Sequence, residues 1–261
     1  GIGSVPGVEF WQSTEAPDLA GHEVVINLAG EPIAKRWTAA NKLRFRESRV
    51  GLTEKLIEHL AGLPPEQRPK VLVSGSAVGV YGDRGDEELR DGSAPGDGFL
   101  ADLCRDWEQA ALRAEALGVR VVCLRTGIVL GREGGAFAKL RRIFKTGLAG
   151  RLGNGKQWMP WIHVDDHRAA MVHAVRAPDL IGPLNLCAPH PERNAEFTRK
   201  FAAAVHRPAV LPVPGFALKL ALGGFGGALL ASQRALPAAL LGDGFEFRFP
   251  TLEQALEDLV R

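Results

Sequence analysis

The run Val24-Val25-Ile26-Asn27-Leu28-Ala29-Gly30-Glu31 constrains this chain more than any other segment. It is apolar without alternation and closes on small residues and a polar turn. Such a run reads as a buried parallel strand that delivers backbone to a ligand at its carboxyl end. A strand of this kind lies inside a sheet with a neighbour on each side. Only 23 residues precede it, and they begin at Gly1. The expectation is a dinucleotide-type α/β protein that begins partway through its own sheet, with about one βαβ unit, roughly 40 residues, lying upstream. Without that unit the strand from Val24 to Ala29 would form a long apolar edge.

The rest of the chain alternates strand and helix. Thr38 is placed to cap a helix reaching to about Leu60, and Pro64, Pro65 and Pro69 mark the loop that follows. Val71 to Ser74 reads as the next buried strand, with a Gly- and Asp-rich loop from Gly75 to Gly98. Phe99 to Leu117 reads as a helix stopped by Gly118, Val119 to Leu124 as a strand, and Thr126 to Gly135 as a loop. Helices are expected from about Ala136 to Leu148, from Asp165 to Val175, and from Asn194 (as cap) to Val205, with a strand from Pro183 to Cys187. Repeated βα alternation predicts an α/β fold with a Rossmann-type, doubly wound parallel sheet. Residues 1–135 are expected to form that core, incomplete at its start. Residues 136–261 form a smaller substrate-side and C-terminal region, with 161–187 returning to the sheet.

Charge is nearly balanced, +2 over 261 residues, which argues against a nucleic-acid or membrane partner. The most apolar stretch, Phe216 to Leu230, is too short to span a bilayer and holds Lys219 and four glycines, so core or interface is expected. Three widely spaced cysteines, Cys104, Cys123 and Cys187, suit buried thiols in a reducing, cytoplasmic setting.

Ligands of open α/β sheets bind at the carboxyl ends of the strands. Three such ends are rich in small or hydrogen-bonding residues: Asn27 to Gly30, Ser74-Gly75-Ser76, and Arg125-Thr126-Gly127. Residues 134–164 carry six basic side chains and no acid, a composition that attracts a phosphorylated small molecule. His163 and His167 flank Asp165 and Asp166, but no third or fourth ligand is indicated for a metal. Glu133 or the Asp165–Asp166 pair offers a general base, with a helix-capping role the commoner use of such carboxylates. Ser76 lacks the spacing of a nucleophile elbow.

Taken together, the segments Val25 to Glu31, Arg36-Trp37, Ser48-Arg49, Ser74 to Gly82, Trp107-Glu108, Arg125 to Gly131 and Met159 to Asp166 resemble the extended short-chain dehydrogenase/reductases. The likeness is narrower still to the NAD(P)-binding, sugar-nucleotide-epimerase-like branch. Gln233 to Pro237 and Gly244 to Phe247 resemble that branch's C-terminal domain of unknown function. The resemblance runs from Val8 onward. It implies NADP(H) across the strand ends, with NAD left open because the discriminating residues follow the second strand. By position it implies that Leu28, Ala29, Gly30, Arg49, Ser74, Arg125 and Val129 line the cofactor, and that Ser76 polarises a substrate carbonyl. The basic stretch from Lys139 to Lys156 falls where epimerase relatives hold the substrate's phosphates.

Two departures shape the expectation. The family opens with a G-x-x-G-x-x-G turn that holds the pyrophosphate, whereas Gly1 to Gly7 reads as a loop. The family also uses a Tyr-x-x-x-Lys pair, and the one tyrosine here, Tyr81, is followed four residues later by Gly85. By spacing from Glu108, Leu100 and Cys104 occupy the tyrosine and lysine positions. Two readings stay open: an NADP(H)-dependent oxidoreductase or epimerase with another acid/base, and a cofactor sensor without turnover. A scaffold built around Phe216 to Leu230 is a third.

Overall fold

The structure is a computed structural model that describes residues 17–147 and 149–261. Strand β1 (Val24–Asn27) leads into helix α1 (Ala39–Arg46), which passes through a π turn (Glu47–Gly51) into α2 (Leu52–Gly62). Next come β2 (Val71–Ala77), a short 3-10 turn (Val78–Tyr81), β3 (Glu88–Leu89), α3 (Phe99–Leu112), β4 (Arg120–Thr126), β5 (Ile128–Gly131) and α4 (Gly135–Lys145). Then β6 (Trp158–Met159), β7 (Trp161–His163), α5 (Val164–Arg176), β8 (Gly182–Leu186), β9 (Glu192–Arg193) and α6 (Asn194–Ala204) follow. The chain closes with α7 (Gly215–Leu222), α8 (Gly224–Ala228), β10 (Arg234–Ala235), α9 (Ala238–Gly242) and α10 (Leu252–Val260).

The central sheet runs β1-β2-β4-β8, every pair parallel. Alternation along the strands supplies two cores. Leu72, Val121 and Cys123 face α2 and α3 with Leu56, Leu60 and Ala111. Val71, Val73, Val122 and Leu124 face α5 and α9 with Ala170, Ala174 and Leu240. A third core joins α4, α6 and α10 through Phe137, Phe144, Phe197, Phe201, Leu256 and Leu259. Among the described residues β1 pairs only with β2, and Ile26 and Leu28 are each 49% exposed.

Several local expectations change. Thr38 caps as predicted, its side chain accepting from Asn41 N, but the helix is interrupted by the π turn at Glu47. The loop expected from Thr126 to Gly135 contains β5, which escapes a propensity reading because its partner β7 lies 33 residues on. Helix α3 ends at Leu112, and a 3-10 turn carries the chain to Gly118, whose φ of +80° stops it as the sequence predicts. The cap of α6 is Arg193. Asn194 is not the cap, because its side chain accepts from Leu152 N and donates to the Met159 sulfur.

Candidate functional site

The carboxyl end of β1 is fixed by side chains that spend themselves on backbone. Asn27 donates to Thr53 Oγ1 at 3.0 Å, and the same oxygen accepts from Trp107 Nε1 at 3.0 Å. The other Asn27 amide atom accepts from Ala29 N, turning the chain out of the sheet. Ser48 Oγ then accepts from Glu31 N at 3.0 Å, so the loop is tied to the π turn. Such turns re-aim side chains out of a regular helical face, and here the residue so placed is Arg49. Its guanidinium packs against Gly30, where a Cβ would meet Arg49 Cζ at 2.9 Å, and lies 5.3 Å from the Trp107 ring centroid.

Arg49 is half-buried, and among the described residues its hydrogen bond goes to Ser48 Oγ at 3.4 Å. Among the described residues no carboxylate lies within ion-pair distance of it. Burial lowers its pKa, with the nearby Glu31 charge opposing. A half-buried guanidinium with no carboxylate in direct contact is a receptor for an anion. Alongside, Asn27, Leu28 and Ala29 form one wall of a cavity of about 260 Å³ opposite Leu52, Lys55 and His59.

At the ends of β2 and β4 the polar groups are instead closed on one another. Ser76 Oγ donates to Glu108 Oε1 at 2.6 Å. Arg125 grips Glu108 with Nε and Nη2, both at 2.8 Å, and sends Nη1 to the Tyr81 hydroxyl and Asp91 O, each at 3.0 Å. Tyr81 donates to Asn185 Oδ1 at 2.7 Å, and Asn185 donates to Leu89 O and Leu236 O. Burial alone would lower the Arg125 pKa, but the Glu108 carboxylate overturns this and holds it above its ordinary value. Burial pushes the Tyr81 phenol up, with the Arg125 charge opposing.

The network decides what Ser76 offers. A carboxylate paired with arginine only accepts, so the single Ser76 proton is committed to Glu108 and its oxygen presents lone pairs. Polarising a carbonyl, the role implied by resemblance, would need that proton. Arg125, expected at the cofactor, has every guanidinium nitrogen engaged inside the protein. Ser74 is likewise buried, its hydroxyl 3.4 Å from Gly75 O. Val129 lines a separate cavity of about 530 Å³ with His163 and Asp258. Leu28, Ala29, Gly30 and Arg49 are the expected residues that the fold brings together.

Helix α3 presents Leu100 to the turn after Ser76, where a Cβ on Gly79 would meet Leu100 Cδ2 at 2.5 Å. Cys104, one turn on, is buried, and burial with the Glu108 charge pushes its thiol up to about 12. Neither side chain exchanges a proton near neutral pH. Leu100 also lines a cavity of about 320 Å³ with Trp37, Lys42, Phe99, Asp97 and Gln233. Trp37 and Lys42 were not singled out from sequence as site residues, nor was Glu108, although the pair Trp107-Glu108 stood among the matching motifs.

The remaining candidates have structural duties. His163 caps α5, its Nδ1 accepting from Asp165 N. Both Asp166 oxygens accept backbone N–H groups, from Arg248 and Phe249. No cluster of metal-binding side chains occurs among the described residues. Lys139, Arg142, Lys145 and Lys156 are exposed, and Arg151 lines a further cavity with Arg199 and Arg207. The basic stretch thus does not reach the Leu100 cavity.

A parallel sheet with a ligand-sized crevice at its strand ends defines a Rossmann-type protein. The pattern described as the NAD dependent epimerase/dehydratase family matches residues 13–187, and a domain of unknown function, DUF1731, matches residues 213–259. The chain belongs to this epimerase family. It is 42% identical over 236 residues to an epimerase family protein of Mycobacterium leprae, covering 90% of this chain and 76% of that one. A chloroplastic SDR39U1 homolog of Arabidopsis thaliana is 38% identical, covering 98% and 74%. The crystal structure of human epimerase family protein SDR39U1 (isoform 2) with NADPH superposes with a TM-score of 0.84 at 32% identity, over 95% of this chain and 84% of that one. No helix among the described residues is long and apolar enough to cross a membrane.

Proposed function

We propose that this protein binds NADP(H) at the β1 end and acts as an oxidoreductase or epimerase-like enzyme on a small molecule, without a Tyr–Lys pair. The observation that carries the reading is Arg49, a half-buried cation with no carboxylate in contact among the described residues, beside an open apolar strand end. The human relative is a complex with NADPH, which supports the same ligand. Leu28, Ala29 and Gly30 offer apolar surface and close backbone approach, and Arg49 offers charge to a phosphate. When bound, the cofactor supplies the capacity to give or take hydride. Ser76, its proton committed to Glu108, which Arg125 clamps in turn, shapes the wall of the crevice. Three free buried cysteines support a cytoplasmic, reducing location.

A second reading is favoured by Leu100 and Cys104: with no proton donor at these two positions of α3, the chain would sense the cofactor without turnover. One experiment addresses both. NADPH is titrated by its fluorescence into the protein from its natural source and into Arg49→Leu, and NADPH oxidation is then followed across a panel of carbonyl compounds. The variant should bind about tenfold or more weakly, the loss of one charge-assisted hydrogen bond. Unchanged affinity would remove Arg49 from the site. Binding without any turnover would favour the sensor.

A further inference from the structure

The cavity of about 320 Å³ beside Leu100 stands at the low end of the roughly 300–1,000 Å³ that ligand sites span. We infer that it takes a small, uncharged, largely apolar carbonyl compound or alcohol, and not a nucleotide-linked sugar; this rests on the NADP(H) reading above. Its walls are largely apolar. Trp37 and Phe99 pack edge to face with centroids 5.2 Å apart, and Leu100 and Ala228 complete the surface.

Charge excludes a diphosphate. The cavity holds one cation, Lys42, against two carboxylates, Asp83 and Asp97. The Lys42 ammonium lies 4.8 Å from the Phe99 ring centroid and makes no ion pair among the described residues. Asp83 sits at the wall, fixed by Ser232 N at 3.0 Å and Gly85 N at 3.4 Å. A net negative pocket repels a nucleoside diphosphate. The arginines that would neutralise one, Arg151, Arg199 and Arg207, line a different and larger cavity of about 530 Å³.

Polar recognition is correspondingly sparse. Trp37 Nε1 is spent on Ile33 O, and Gln233 Nε2 on Gly82 O at 2.8 Å. This leaves the Lys42 ammonium to donate to a carbonyl and the Gln233 amide oxygen to accept from an alcohol. One or two polar contacts in an apolar pocket suit a compound with a single oxygen function.

The test is calorimetric. 4-Phenyl-2-butanone, cyclohexanone and hexanal are titrated into the protein from its natural source, with and without saturating NADPH, and UDP-glucose is titrated in parallel. At least one carbonyl probe should bind saturably, and Ala228→Trp, which fills the cavity, should weaken it at least tenfold. Trp37→Leu serves as a second wall variant if Ala228→Trp fails to fold. UDP-glucose should give no binding heat. Binding of UDP-glucose, failure of all three probes, or affinity unchanged in the folded wall variant would each overturn the inference. NADPH affinity is read separately, so loss of cofactor binding would fail the earlier reading while the contrast between probe and UDP-glucose still decides this one.

Discussion

Two polar regions meet at the strand ends of this sheet, and they are built on opposite rules. At β2 and β4, Ser76, Glu108, Arg125, Tyr81 and Asn185 satisfy one another and are sealed from water. At β1, the backbone turn from Asn27 to Glu31 is held by Asn27, Thr53 and Ser48, yet the cation beside it, Arg49, has no carboxylate in contact among the described residues, with Glu31 acting on it only from a distance. A sealed network rigidifies a site, because each member is costly to leave alone. An unanswered charge at a rim costs stability and is kept where something else will answer it. The contrast separates what shapes the crevice from what is available to a ligand.

The largest effect should come from breaking the sealed side. Glu108→Ala leaves the buried Arg125 guanidinium unpaired, and unfolding in urea should show a loss of about 3–5 kcal/mol. A loss under about 1 kcal/mol would mean water enters the network and the contrast is false. Tyr81→Phe removes one hydroxyl that serves Arg125 and Asn185 and should cost about 1–3 kcal/mol by the same measurement. Arg49→Leu should do the reverse of Glu108→Ala. Its folding stability should stay within about 0.5 kcal/mol of the parent while NADPH binding weakens. A large loss of stability would place Arg49 with the sealed group instead.

The sequence foretold the open side better than the sealed one. Strand β1 and its turn are legible because an unbroken apolar run followed by small residues has few other uses. Thr38 and Gly118 act as the termini their chemistry predicts. The sealed network joins residues 17 to 104 positions apart, from Glu108–Arg125 to Tyr81–Asn185, and local pattern carries no trace of such pairings. Position in a strand turn therefore suggested that Arg125 serves a ligand, where its partner on α3 claims it. β5 was hidden for the same reason, since its hydrogen bonds run to β7. The π turn that presents Arg49 follows an ordinary helical sequence, and nothing local announces it.

His163 tests the contrast at its weakest point, as a sealed group only half satisfied. Its Nδ1 accepts from Asp165 N at 3.1 Å, which assigns the proton of the neutral ring to Nε2. Nε2 is buried without a hydrogen bond, 3.4 Å from Asp258 Oδ2. Burial lowers the His163 pKa, while Asp165, Asp258 and Asp166 pull the other way; burial also lowers that of His167, with the Arg168 charge adding to it. The unfolded chain thus takes up protons at higher pH than the native one does. The contribution is intact above about pH 6.5 and is lost as pH falls through the lower native value, by at most about 1.4 kcal/mol per pH unit for one group. Thermal unfolding from pH 8 to pH 5 should therefore show a falling midpoint that His163→Gln makes shallower. An equally steep fall in the variant would mean that Asp258 accepts the imidazolium proton, and that His163 belongs with the fully paired groups around Glu108.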